Sequence, residues 1–108
     1  MANRRERILL EILERALESG ADAVTLEHVP EGVEVLYIHG QAGVGHVVAE
    51  RGLISHVASR AGLVRRDRGE FSLAVRERRR TVLVEEYQNF GETGLRLRFR
   101  KPRSRSAP

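Results

Sequence analysis

The chain has 108 residues, 41% of them apolar and 31% charged, which suits one domain around one core and leaves no room for a second of ordinary size. It has no cysteine, which excludes disulfides, thiolate nucleophiles and cysteine-bearing zinc sites, and no apolar run approaches the roughly 20 residues of a membrane span. Basic residues exceed acidic ones by 19 to 15, yet Lys101 is the only lysine. So uniform an arginine bias, beside a single Met, fits genome composition or heat adaptation better than selection at one site. The opening MANRRER runs straight into a helical pattern without the apolar stretch and cleavage site of a secretory signal, so a cytoplasmic location without membrane insertion is expected.

Ile8, Leu9, Ile12, Leu13, Ala16 and Leu17 recur at helical spacing opposite Arg7, Glu11, Glu14, Arg15 and Glu18, which predicts an amphipathic helix over residues 4–19. Asn3 followed by Glu6 resembles a capping box, Glu11 and Arg15 are placed for an i,i+4 ion pair, and Gly20 suits a left-handed stop. A half-buried strand follows over residues 23–29, where Val24, Leu26 and His28 alternate with Thr25 and Glu27. Pro30, Glu31 and Gly32 turn the chain into a strand over 33–39 that is apolar on both faces. A short strand at 44–48 comes next, after a turn at 40–43.

Leu53, Ile54, Val57, Ala58 and Ala61 repeat the helical stripe, and Gly62 stops it. Phe71, Leu73 and Val75 alternate as a strand, residues 76–80 form a charged turn, 81–87 return, and 95–100 alternate strictly with arginines on one face. The order is αβββαβββ in an α+β domain spanning residues 1–100. Residues 101–108, the last seven being PRSRSAP, have nothing to bury and are expected to form a disordered basic tail. Each helix has one apolar stripe and only one sheet is available, so both helices are predicted to lie on one face of a largely antiparallel sheet.

The stretch Gly40-Gln41-Ala42-Gly43-Val44-Gly45-His46-Val47 has the glycine spacing of a phosphate loop but His-Val where that motif needs Lys-Ser/Thr, so it reads as a glycine-rich hairpin. His28, His39, His46 and His56 lack metal-ligand spacing, and Ser55 and His56 diverge as helix neighbours. No catalytic residue, metal or cofactor is therefore expected. Arg96, Arg98 and Arg100 form a ladder at roughly 7 Å spacing and are the candidate anion-binding residues. Glutamates nearby can balance the ladder, and base-stacking aromatics are few.

Four stretches carry a resemblance: Ala16-Leu17-Glu18-Ser19-Gly20-Ala21-Asp22-Ala23-Val24-Thr25-Leu26-Glu27, Ala61-Gly62-Leu63, Gly69-Glu70-Phe71-Ser72-Leu73-Ala74-Val75 and Gly91-Glu92. Together with Gly32-Val33-Glu34-Val35 they resemble the domain that precedes the motor core in type II secretion and type IV pilus assembly ATPases. That domain carries A-L-x-x-G-A-S-D-I-H-L-E-P, a helix ending A-G-L, a G-R-F-S-L-x-V hairpin and a G-E before its last strand. The resemblance covers residues 8–100 and implies a PAS-like fold. The chain departs from the family at Asp22-Ala23 and Thr25, which replace Ser-Asp and His, and at Tyr37-Ile38-His39-Gly40, where Arg-x-Asp-Gly is expected. In the family, arginines of that second strand reach toward nucleotide; Val35, Leu36 and Tyr37 cannot, so no ATP binding is expected. No motor core or phosphate loop is expected to accompany it.

What remains is a non-catalytic interaction module that docks a protein partner or associates with itself, the alternative being a nucleic-acid-binding protein that uses the arginine ladder and basic tail. Its candidate interface is Leu36, Ile38 and Ala74, with Val82 or Val84 joining them on the sheet face that the helices leave uncovered.

Overall fold

A computed structural model describes residues 3–101; the tail expected at 102–108 lies outside the described residues. Helix α1 (Arg4–Ser19) begins where the Asn3 side chain accepts a 2.8 Å hydrogen bond from the Arg5 N–H, which satisfies one orphan donor of the first turn. It ends at Gly20, whose φ of 69° reverses the chain so that Ala21 N–H can reach the Ala16 carbonyl. Glu6 does not complete the expected capping box. Its carboxylate turns instead to the second helix, α2 (Leu53–Arg60), where it lies 2.7 Å from His56 Nε2 and accepts from Arg60 at 2.9 and 3.2 Å.

Six strands, β1 (Ala23–Val29), β2 (Gly32–His39), β3 (Ala42–Val48), β4 (Arg68–Val75), β5 (Arg78–Asn89) and β6 (Glu92–Phe99), form one antiparallel sheet in the order β3-β2-β1-β6-β5-β4. Two meanders of three strands meet along β1 and β6. The register places Val24 between Tyr37 and Leu97, and Leu26 between Val35 and Leu95, so the buried residues of neighbouring strands share one face. Those side chains, with Val33, Phe71, Val75, Val82 and Val84, form a single core with Leu9, Ile12, Leu13, Leu53 and Val57 of the helices. Both helices therefore cover the same face, as their single apolar stripes require.

Several boundaries differ from the sequence expectation: β4 begins at Arg68, β5 runs on to Asn89 and β6 begins at Glu92. Strand β5 starts at Arg78 rather than Thr81, because Arg76 and Glu77 adopt left-handed φ values of 54° and 61° and reverse the chain in two residues. Gly43 lies within β3 rather than in the preceding turn, which is Gly40-Gln41. The glycine-rich stretch is thus mostly extended strand and opens no helix, so it builds no phosphate cradle.

A candidate interaction surface on the open sheet face

Strand geometry sends alternate side chains to the face without helices. One register row crosses all six strands: Arg68, Glu85, Arg96, Thr25, Leu36 and Gly45. The next places Glu70 beside Leu83 and Leu83 beside Arg98, with Ala23, Ile38 and Gly43 continuing it on β1 to β3. In these two rows the face is apolar on β2 and β3 and cationic on β6, and the row beyond adds Glu27 and Glu34.

Leu36 and Ile38 are half-buried without any helix above them, and the reason lies in the neighbouring strand. Each stands opposite a glycine of β3, and a Cβ built on Gly43 would come within 3.2 Å of Ile38 Cδ1, while one on Gly45 would come within 2.9 Å of Leu36 Cδ2. Both side chains lean over the bare backbone of the edge strand and keep their outer surfaces in water. They make the low, apolar part of the face.

Arg96 and Arg98 are exposed, and among the described residues neither has a carboxylate within 4 Å. Glu85, opposite Arg96, pairs with Arg68 at 3.3 Å, and Arg100 pairs with Glu70 at 2.6 Å, so the third rung of the ladder is already engaged. A shallow groove of about 520 Å³ runs between Arg66, Arg68, Leu83, Arg96 and Arg98. At the far end of the face, Tyr87 lies across Gly94 and donates a 2.8 Å hydrogen bond to Glu27. Burial, then the hydrogen bond and charge of Glu27, push the Tyr87 phenol up to about 12.

The expected interface needs correcting in two places. Val82 and Val84 point into the core, 0% and 2% exposed, and it is Leu83 between them that reaches the open face. Ala74 is on that face but on β4, with β1, β6 and β5 intervening between it and Leu36, so they share no patch. Sequence reading also missed Thr25 and Val47, although alternation from Leu26 and Val48 points to both.

No known protein-family model matches this chain, nor does any curated protein sequence. The family resemblance therefore rests on the short motifs themselves. Apart from the open face, polar side chains gather around Glu6, around Tyr37, around Glu50 with Arg4 and Arg5, and around Arg76 with Glu14 and Glu18. The Glu6–His56–Arg60 cluster ties the helices together, with Arg60 also 5.0 Å from the centre of the Phe71 ring. Burial raises the Glu6 carboxyl, but the hydrogen bonds and charges of His56 and Arg60 outweigh it and hold the pKa below its ordinary value. Beside α1, Tyr37 and His46 stack with centroids 5.8 Å apart and share a 3.2 Å hydrogen bond. Burial, then the Arg15 charge, lowers the His46 pKa, and burial raises that of Tyr37. Among the described residues no three of His, Asp and Glu gather as a metal site.

Proposed function

We propose that this chain is a non-catalytic protein-interaction module that works through the open face of its sheet, as a degenerate relative of the PAS-like domain of secretion and pilus ATPases acting in the cytoplasm. The observation that carries the reading is the pairing, on one uncovered face, of half-exposed Leu36, Ile38 and Leu83 with Arg96 and Arg98, which lack ion-pair partners among the described residues. Apolar side chains at the middle of an interface supply affinity, while arginines beside them supply orientation and a fast encounter with an acidic partner. The family motifs support the same reading. The residues that would reach nucleotide in that family are here Val35, Leu36 and Tyr37, two of them buried in the core, so the module is proposed to act without ATP.

A nucleic-acid role remains the rival, favoured by Arg96 and Arg98 and by the basic groove around Arg78, Arg79, Arg100 and Lys101. Salt separates the two. A protein that neutralises 6–10 phosphates loses about 10³- to 10⁵-fold in affinity between 50 and 200 mM salt, whereas apolar docking is nearly indifferent to it. The test is capture of a partner by the full chain, its salt dependence, and its loss on Leu36→Arg with the helical circular-dichroism signal intact. Binding that follows nucleic acid with a steep salt slope, or partner capture unaffected by Leu36→Arg, would overturn the proposal.

A further inference from the structure

The two edges of the sheet are built differently. Strand β4 carries Arg68 and Glu70, both tied into surface ion pairs, and its Gly69 is pressed by the end of α2, where a Cβ would meet the Ala61 carbonyl oxygen at 1.9 Å. Charges and a covering helix are the usual protection of an edge strand against pairing with another chain. Strand β3, AGVGHVV, has neither Asp, Glu, Lys, Arg nor Pro, pairs among the described residues only on its β2 side, and is exposed along most of its length. Among the described residues, two of the four exposed large apolar side chains lie on it, Val44 at 69% and Val47 at 47%.

From this we infer that β3 is a pairing edge for a second copy of this chain, joined antiparallel about a two-fold axis at Gly45. The inference goes beyond the proposed function, because it rests on the edge and not on the open face. A second copy fits better than a charged partner segment, since the strand has no charge to complement one and nothing to repel its own image. The side-chain sizes are self-complementary as well. Centring the axis on Gly45 sets Gly43 against Val47 of the second copy and Val44 against its His46, so that each copy offers a valine where the other offers bare backbone. Val47 of the second copy would then lie beside Ile38, which already leans over Gly43. Seven paired residues add about six to eight backbone hydrogen bonds, and the two six-stranded sheets become one of twelve with all helices on the same side.

The experiment is sedimentation equilibrium of the full chain from micromolar to several hundred micromolar, with amide hydrogen exchange at both ends of that range. The expected result is a concentration-dependent doubling of mass, with exchange slowed in residues 42–48 and unchanged in β4. Val44→Lys and Val47→Lys, both at exposed positions, should return the monomer mass with the circular-dichroism spectrum kept. Leu83→Arg, on β5 and far from the β3 edge, should leave the dimer in place while disturbing the open face, so failure of the open-face proposal and failure of this one give different patterns. A monomer at every concentration, a dimer that survives both lysines, or protection that appears in β4 rather than β3 would overturn the inference, and the exchange measurement decides even if the lysine variants misfold.

Discussion

Gly94 is the most informative single position on the open face. Tyr87 faces it directly across β5 and β6, and the ring reaches over it to Glu27 on β1. A Cβ at residue 94 would stand 2.5 Å from Tyr87 Cζ and 2.6 Å from Oη, so Gly94→Ala must lift the ring and break the bond to Glu27. A hydrogen bond to a charged group contributes about 1.5–3 kcal/mol when well shielded, and solvent at this half-exposed site reduces that to about 1–1.5. Removing a glycine from a strand interior returns about 0.5–1 kcal/mol. The two nearly cancel, leaving a loss of about 0.5 kcal/mol and a fall in Tm of about 2–4 °C. The phenol titration is the sharper assay. In a Tyr37→Phe background Tyr87 is the only tyrosine, and its ionisation should move from about 12 back toward 10 when Gly94 becomes Ala. Because the folded-state pKa is raised, the phenol's contribution to stability is complete below pH 10 and is lost as pH rises from 10 to 12, a loss that Gly94→Ala should abolish. A tyrosine still ionising near 12 in that variant, or a loss of several kcal/mol, would refute this account of the packing.

Glu6→Gln should cost about 1 kcal/mol at pH 7 by weakening the link between the helices, measured by urea denaturation. Because the folded-state pKa of Glu6 is held below its ordinary 4.5, that contribution is fully present above about pH 4.5 and is lost as pH falls through the lower folded-state value, where the wild type and Glu6→Gln should converge in stability. Leu26→Ala, at a fully buried position in the middle of the core, should cost about 2–5 kcal/mol in the same assay. Gly69→Ala drives a Cβ into the Ala61 carbonyl and should cost about 1–3 kcal/mol, with hydrogen exchange accelerated at the end of α2; unchanged exchange there would count against the close packing of α2 on β4.

Much of this fold is legible in the sequence because its signals are local. The stripe from Leu9 to Ala16 specifies α1, Gly20 ends it, and the alternation of Leu95, Arg96, Leu97 and Arg98 specifies β6 and both of its faces. What the sequence hides is relational. Arg76 and Glu77 form the β4–β5 turn without the Asn or Gly that announces such turns, so arginines 78–80 read as loop when they are strand. With the start of β5 misplaced, nothing anchored its alternation, and the apolar run Val82, Leu83, Val84 could be assigned to either face. Alternation alone groups Ala74 with Leu36, since both point away from the helices, but the sheet order that separates them depends on β1 pairing with β6, which no local pattern encodes. Likewise the glycines of β3 read as a turn signal, whereas their consequence is a resting place for Leu36 and Ile38.

That β1–β6 seam also has a kinetic meaning. The register covers only four residue pairs there, Val24 to Glu27 against Gly94 to Leu97, against seven or eight in every other neighbouring pair, and it joins positions about 70 residues apart. Each meander can close through short hairpins, while the seam must meet the entropy of a long loop before its few hydrogen bonds repay it. Closure of the seam should therefore limit the folding rate. Destabilising substitutions at Leu26 or Leu95 should slow folding, whereas those in β3 should mainly speed unfolding, and a chevron series across these positions would read the order of assembly directly.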